Sequence, residues 1–233
     1  MLDRVRTGPE GPQIGGVPPA EILDSLEGGE APDRLAARLG VKPIDILAAI
    51  AVAGLGVGED AQGPPLATSN PPRPRLAGAV SDRALAALLP DAPVLARLNI
   101  RAGLCQALDF WESSHQAAQE ADDRGEKEFS AYWHGIAHRR EPDPGNASYW
   151  FRRVGRHPLF ASLARASTPL LAGPTGSSMA DRLIRGGSWD PFAFIEACTR
   201  SRPGTAEAAL ARKLQRLEMG KLLEATIAGA IAP

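Results

Sequence analysis

Along most of the chain, apolar residues recur every three or four positions, the period of a helix with one buried face. Pro18-Pro19 opens the first such segment, Ile22, Leu23 and Leu26 share its face, and Gly28-Gly29 stops it. A second runs from Pro32 to Leu39 with Leu35, Ala36 and Leu39 in register; Gly40 turns the chain, and Pro43 starts a third with Ile44, Leu47, Ala48 and Ile50. Val94, Leu95, Leu98 and Ala102 repeat the pattern after Pro93, and it continues through Trp111 to His115, Ala131 to Arg140, and onward to Val154. Asp143 before Pro144 predicts an N-cap with proline at the first helical position. Behind the loop Gly186–Pro191, Phe192, Phe194, Ile195 and Cys198 mark a further helix. A last one, Thr205 to Ile227, aligns Leu210, Leu214, Leu217 and Leu222. No segment alternates β-branched with polar residues, so no strand is predicted and the fold class is all-α.

Proline breaks this pattern once on a large scale. Gly63-Pro64-Pro65 and Asn70-Pro71-Pro72-Arg73-Pro74 exclude both a regular helix and a central strand, which predicts a linker over 57–80. It would join an N-terminal unit, 1–56, to a larger helical domain, 81–233. The glycine-rich stretches Gly54–Gly58 and Ala172–Ser178 lack the lysine and the preceding strand of a phosphate loop, and read as loops.

Two short helices around a glycine turn make the N-terminal unit helix-turn-helix-like. Gln13-Ile14-Gly15-Gly16-Val17-Pro18, followed by Ile22-Leu23-Asp24-Ser25-Leu26-Glu27-Gly28, resembles a small antitoxin-like helix-turn-helix family over roughly 40 residues. That resemblance implies a DNA-associated regulator. The residues argue otherwise: the would-be recognition helix, Lys42 to Ile50, offers one lysine and one aspartate, and residues 1–61 hold ten acidic against five basic side chains. Phosphate contacts supply most of the affinity for a duplex, so packing or dimerisation is the expected use and DNA is not an expected partner.

In the larger domain, Trp133, Ile136 and Ala137, then Ala147, Phe151, Val154 and Pro158, resemble a tetratricopeptide helical hairpin. The run Tyr132-Trp133-His134-Gly135-Ile136-Ala137-His138-Arg139-Arg140-Glu141, with Asn146-Ala147-Ser148-Tyr149-Trp150-Phe151-Arg152-Arg153-Val154-Gly155-Arg156-His157-Pro158, is also similar to an uncharacterised family of bacterial and fungal helical proteins. That likeness implies a functional core in this segment and names no reaction.

Composition narrows the class. Of 233 residues, 44% are hydrophobic and 23% charged, with a net charge of −1, so neither disorder nor a global pull towards nucleic acid or anionic lipid is expected. Cys105 and Cys198 stand far apart, without metal-type spacing, which suits a reducing compartment. The N-terminus lacks the apolar core of a signal peptide, and the longest apolar stretch, Ile46 to Gly58, is short of the ~20 residues that span a bilayer. A soluble cytoplasmic protein without a membrane partner is expected, and self-association stays open.

The chemistry is concentrated. All four histidines, both tyrosines and three of four tryptophans lie from Trp111 to His157. His134 and His138, four residues apart, leave one helix face, and Glu112-Ser113-Ser114-His115 adds a Glu-x-x-His step. Glu112, His115, His134 and His138 would hold a divalent metal if their helices lie antiparallel, which gives one reading, a metal-dependent enzyme. No other cofactor is indicated. The other reading rests on six arginines between 131 and 166 against two acidic residues. Arg139, Arg140, Arg152 and Arg153, beside Trp133, His134, His138, Tyr149 and His157, suit an acidic small molecule or peptide. This non-catalytic binding or scaffold protein is the first expectation. Catalytic residues are not identifiable: there is no Gly-x-Ser-x-Gly elbow, and neither cysteine has a histidine nearby.

Overall fold

Proline in the first helical turn and glycine beyond the last set the N-terminal boundaries. A computed structural model describes residues 4–8, 11–58 and 60–231. A small antiparallel hairpin, β1 (Arg6–Gly8) and β2 (Gly11–Gln13), leads into α1 (Pro19–Glu27), which buries Ile22, Leu23 and Leu26. Next come α2 (Pro32–Leu39) and α3 (Pro43–Leu55). Gly40, at φ 65°, ends α2 in the left-handed conformation that a side chain would disfavour. In α3, Asp45 accepts the backbone N–H of Lys42 at 3.0 Å, and Ile46 through Val52 are all buried. The third helix is therefore core, packed against α1, α2 and the later helix α5 (Val94–Ala107).

The proline-rich segment after α3 lies against the helices. Prolines lack an N–H but keep carbonyls that need donors, and arginine and glutamine side chains supply them. Arg212 donates to Gly63 O at 2.6 Å, Gln215 to Pro65 O at 3.1 Å and Arg140 to Pro65 O at 3.2 Å. A 3-10 turn (Pro74–Val80) then packs on α1, and Ser81 caps α4 (Asp82–Leu88).

Helices α5, α6 (Trp111–Asp123), α7 (Phe129–Arg140) and α8 (Pro144–Val154) each pack on the next across short connections, as successive hairpins. Asp143 caps α8, its Oδ1 accepting the N–H of Asn146 at 3.0 Å. Beyond lie α9 (Leu159–Leu171), α10 (Pro174–Leu183), α11 (Pro191–Arg200) and α12 (Ala206–Ile231). The long α12 runs across α5, α9 and α10, and one apolar core extends from the N-terminal helices to it. Among the described residues no helix is long and apolar enough to cross a membrane.

Two local expectations need correction. Gly54 and Leu55 end α3 rather than forming a loop, and Pro174 to Ser178 open α10. Glycine serves close packing there: a Cβ on Gly54 would lie 1.8 Å from Ala107 O, and one on Gly176 would lie 2.5 Å from Leu171 Cα. The loop at 186–191 supplies the turn and second strand of a small hairpin, β3 (Ile184–Arg185) and β4 (Ser188–Trp189), turned by Gly186 and Gly187 at positive φ. Strands this short leave the fold all-α.

Candidate metal centre

Three imidazoles converge where α6 meets α7. His115 comes from α6, His134 and His138 from one face of α7, and each offers a ring nitrogen within 4.8 Å of the other two. The rings of His134 and His138 are almost parallel, 7° apart with centroids at 5.3 Å. His115 stands perpendicular to both, with centroids at 4.4 and 5.0 Å. His134 forms the floor of an open cavity of about 480 Å³, and His115 and His138 form its walls.

Aromatic rings brace the cluster. The indole of Trp111 stacks on His115 at 5.1 Å and donates its N–H to Ala137 O, which ties the start of α6 to α7. Trp150, from α8, stacks on His134. Glu141 Oε2 lies 2.8 Å from His138 Nδ1, and the Asn146 amide nitrogen is 3.1 Å from His138 Nε2. His138, Glu141 and Asp143 form a second set of potential ligands that shares His138 with the first.

The electrostatics favour neutral rings at His134 and His115. Burial first, then His115 and His138, pushes the His134 imidazole down to about 3, and burial, then His138, lowers His115 as well. Both nitrogens of His134 are buried without a hydrogen-bond partner. A neutral imidazole offers the lone pair a transition metal takes.

The other candidate residues are dispersed. Glu112 faces outward from α6, accepts from Gln116 at 2.8 Å and does not join the three histidines. Trp133 is buried and donates to Thr226 at 3.3 Å. Arg139 pairs with Glu218 at 2.5 Å, and Tyr132 O–H also donates to that carboxylate. Arg140 binds Asp109 at 2.7 Å as well as Gln106. On the surface of α8, Arg153 reaches Asp122 at 3.0 Å and lies over the Trp150 ring, while Tyr149 and Arg152 are exposed. His157 sits apart, edge-on to Tyr132, with Nδ1 accepting the Leu159 N–H. The arginines therefore do not form one surface.

Trp111, Glu141, Asn146 and Trp150 complete the cavity without having stood out as site residues in the sequence. The four-residue spacing of Asn146 and Trp150 is the available signal, because it places both on one face of α8. No protein-family model, curated protein or solved structure matches the chain.

Proposed function

We propose that this protein holds a divalent first-row transition ion on His115, His134 and His138 and uses it on a small molecule entering the cavity between α6, α7 and α8. The observation that carries this reading is His134, whose two buried nitrogens have no partner while two other imidazoles stand beside them. Burying polar atoms unpaired is costly, and a bound metal removes the deficit at one of them. Tetrahedral bonds of 2.0–2.1 Å place ligand nitrogens about 3.3 Å apart, so ring movements on the order of 1 Å close the site. Glu141 on Nδ1 of His138 orients that ring, and binding through Nε2 turns the Asn146 amide aside.

Three histidines on a solvent-facing cavity match an ion with an open coordination position better than a closed structural site of four protein ligands. Such an ion supplies a polarised water or a Lewis acid. The likeness of α7 and α8 to a tetratricopeptide hairpin, and of 132–158 to helical bacterial and fungal proteins, belongs to the same proposal. Buried Trp133, Ile136, Ala147 and Phe151 support it as the scaffold of the site. An arginine-lined surface for acidic partners has less support, because Arg139, Arg140 and Arg153 are engaged by Glu218, Asp109 and Asp122. A DNA-reading role has less still, because α3 is core.

Elemental analysis of protein purified without an affinity tag tests the proposal. About one equivalent of zinc, iron, nickel or copper is expected, lost in His134→Ala and His115→Ala while helical circular dichroism is retained. A folded protein that takes up none of these ions after metal addition and dialysis overturns it.

A further inference from the structure

A second cavity, of about 660 Å³, lies where the proline-rich segment 62–67 meets the start of α12 and the end of α11. Leu66, Pro142, Pro203 and Ala209 give it apolar walls, and two arginines line it, Arg139 and Arg212. The Arg139 side chain is fully buried behind the cavity wall with its guanidinium over the Phe194 ring, yet its Nε and Nη1 donors have no acceptor; Arg212 Nε is buried and unpaired as well. Unmet donors on a guanidinium call for an acceptor, and an anionic one above all.

The charges point the same way. Glu218 matches Arg139 and Asp109 matches Arg140, whereas Arg212 has only the Gly63 carbonyl and no ion pair among the described residues. Of the two arginines that line the cavity, Arg212 is thus the one left without a counter-charge. The N-terminal end of α12, capped by Thr205 through the Ala208 N–H, adds its positive dipole end to the same wall.

We infer that this cavity binds a small-molecule carboxylate with an apolar body, its carboxylate set between Arg139 and Arg212. One negative charge balances Arg212, while a dianionic phosphate overcompensates it. The volume falls within the roughly 300–1,000 Å³ of small-molecule sites. Cys198 lines the cavity, but burial pushes its thiol up to about 12, so the ligand is held rather than attacked. The inference does not rest on the metal centre: Arg139 leaves α7 on a different face from His134 and His138.

Thermal shift and titration calorimetry on the full chain test it, with acetate, hexanoate, phenylacetate, their amides and inorganic phosphate as probes. Hexanoate or phenylacetate should raise Tm and bind at least ten-fold more tightly than its amide, acetate or phosphate. Because Arg139→Gln strands Glu218 in the core, Arg212→Gln is the deciding variant. It should stay folded, with a ligand-free Tm lowered only by the loss of its Gly63 contact, and lose at least ten-fold in affinity, with Arg212→Lys intermediate. Ala209→Trp, which fills the cavity from α12, should also abolish binding, whereas His134→Ala should bind as the parent does. Equal response to acids and amides, tighter binding of phosphate, no binding by any acid, or unchanged affinity in both Arg212→Gln and Ala209→Trp overturns the assignment.

Discussion

The imidazole of His134 lies flat against the indole of Trp150, with ring centroids 3.8 Å apart and planes 5° apart. Stacking of this kind excludes water from one side of the ring and fixes its orientation towards His115 and His138. Truncating Trp150 to alanine should cost about 3–5 kcal/mol, the usual loss for a buried large aromatic. Trp150→Phe preserves the stack and should lose less than half as much. Urea denaturation measures both; an alanine variant as stable as the parent shows that the stack contributes nothing.

The ion pair between Arg139 and Glu218 is buried on both sides. Removing one partner leaves an uncompensated charge, so Arg139→Gln or Glu218→Gln should each destabilise by about 3–5 kcal/mol. The double change Arg139→Met with Glu218→Leu should recover part of that loss, because no charge then remains to be solvated and only the Tyr132 O–H is left without its acceptor. A double variant no more stable than the single ones contradicts this account.

Acid sensitivity should come partly from His157. Burial lowers its folded pKa, partly countered by Glu128 and Glu126, and its Nδ1 accepts the Leu159 N–H, which only the deprotonated nitrogen can do. An unfolded histidine titrates near about 6.5 and so takes up the proton first as pH falls. Its contribution to stability is therefore full above about 6.5 and is lost as pH drops through the lower folded value. His157→Asn keeps an acceptor for Leu159 without a titrating group. Its stability should decline less between pH 7 and 5 than that of the parent; parallel curves exclude the effect.

No sequence-selective binding of the full chain to duplex DNA is expected at physiological salt. A reading helix must present side chains to base edges, and in α3 the residues from Asp45 to Val52 are buried. Fluorescence anisotropy against a randomised duplex pool measures this. A selected site whose affinity falls steeply with salt and depends on Arg34, Arg38 and Lys42 reverses the conclusion.

The helices from Pro19 to Leu55 were legible because proline and glycine act through local backbone geometry, which neighbours in sequence settle. The cap at Asp143 follows from the same local rule, the aspartate accepting an N–H three residues on. The pairing of His134 with His138 was legible for an equally local reason, the pitch of one helix. The tertiary structure decided which third group joins them. His115 arrives because α6 packs on α7 with that face inward, whereas Glu112, three residues earlier, is left on the outer side. It also divided the arginines: Arg139 and Arg140, adjacent in sequence, find Glu218 and Asp109, which lie 79 and 31 residues away. Periodicity says which side chains share a face, but not what that face meets. The partner of a charge depends on long-range packing, and so the arginine cluster of the sequence became separate ion pairs and, at Arg139, one wall of a cavity.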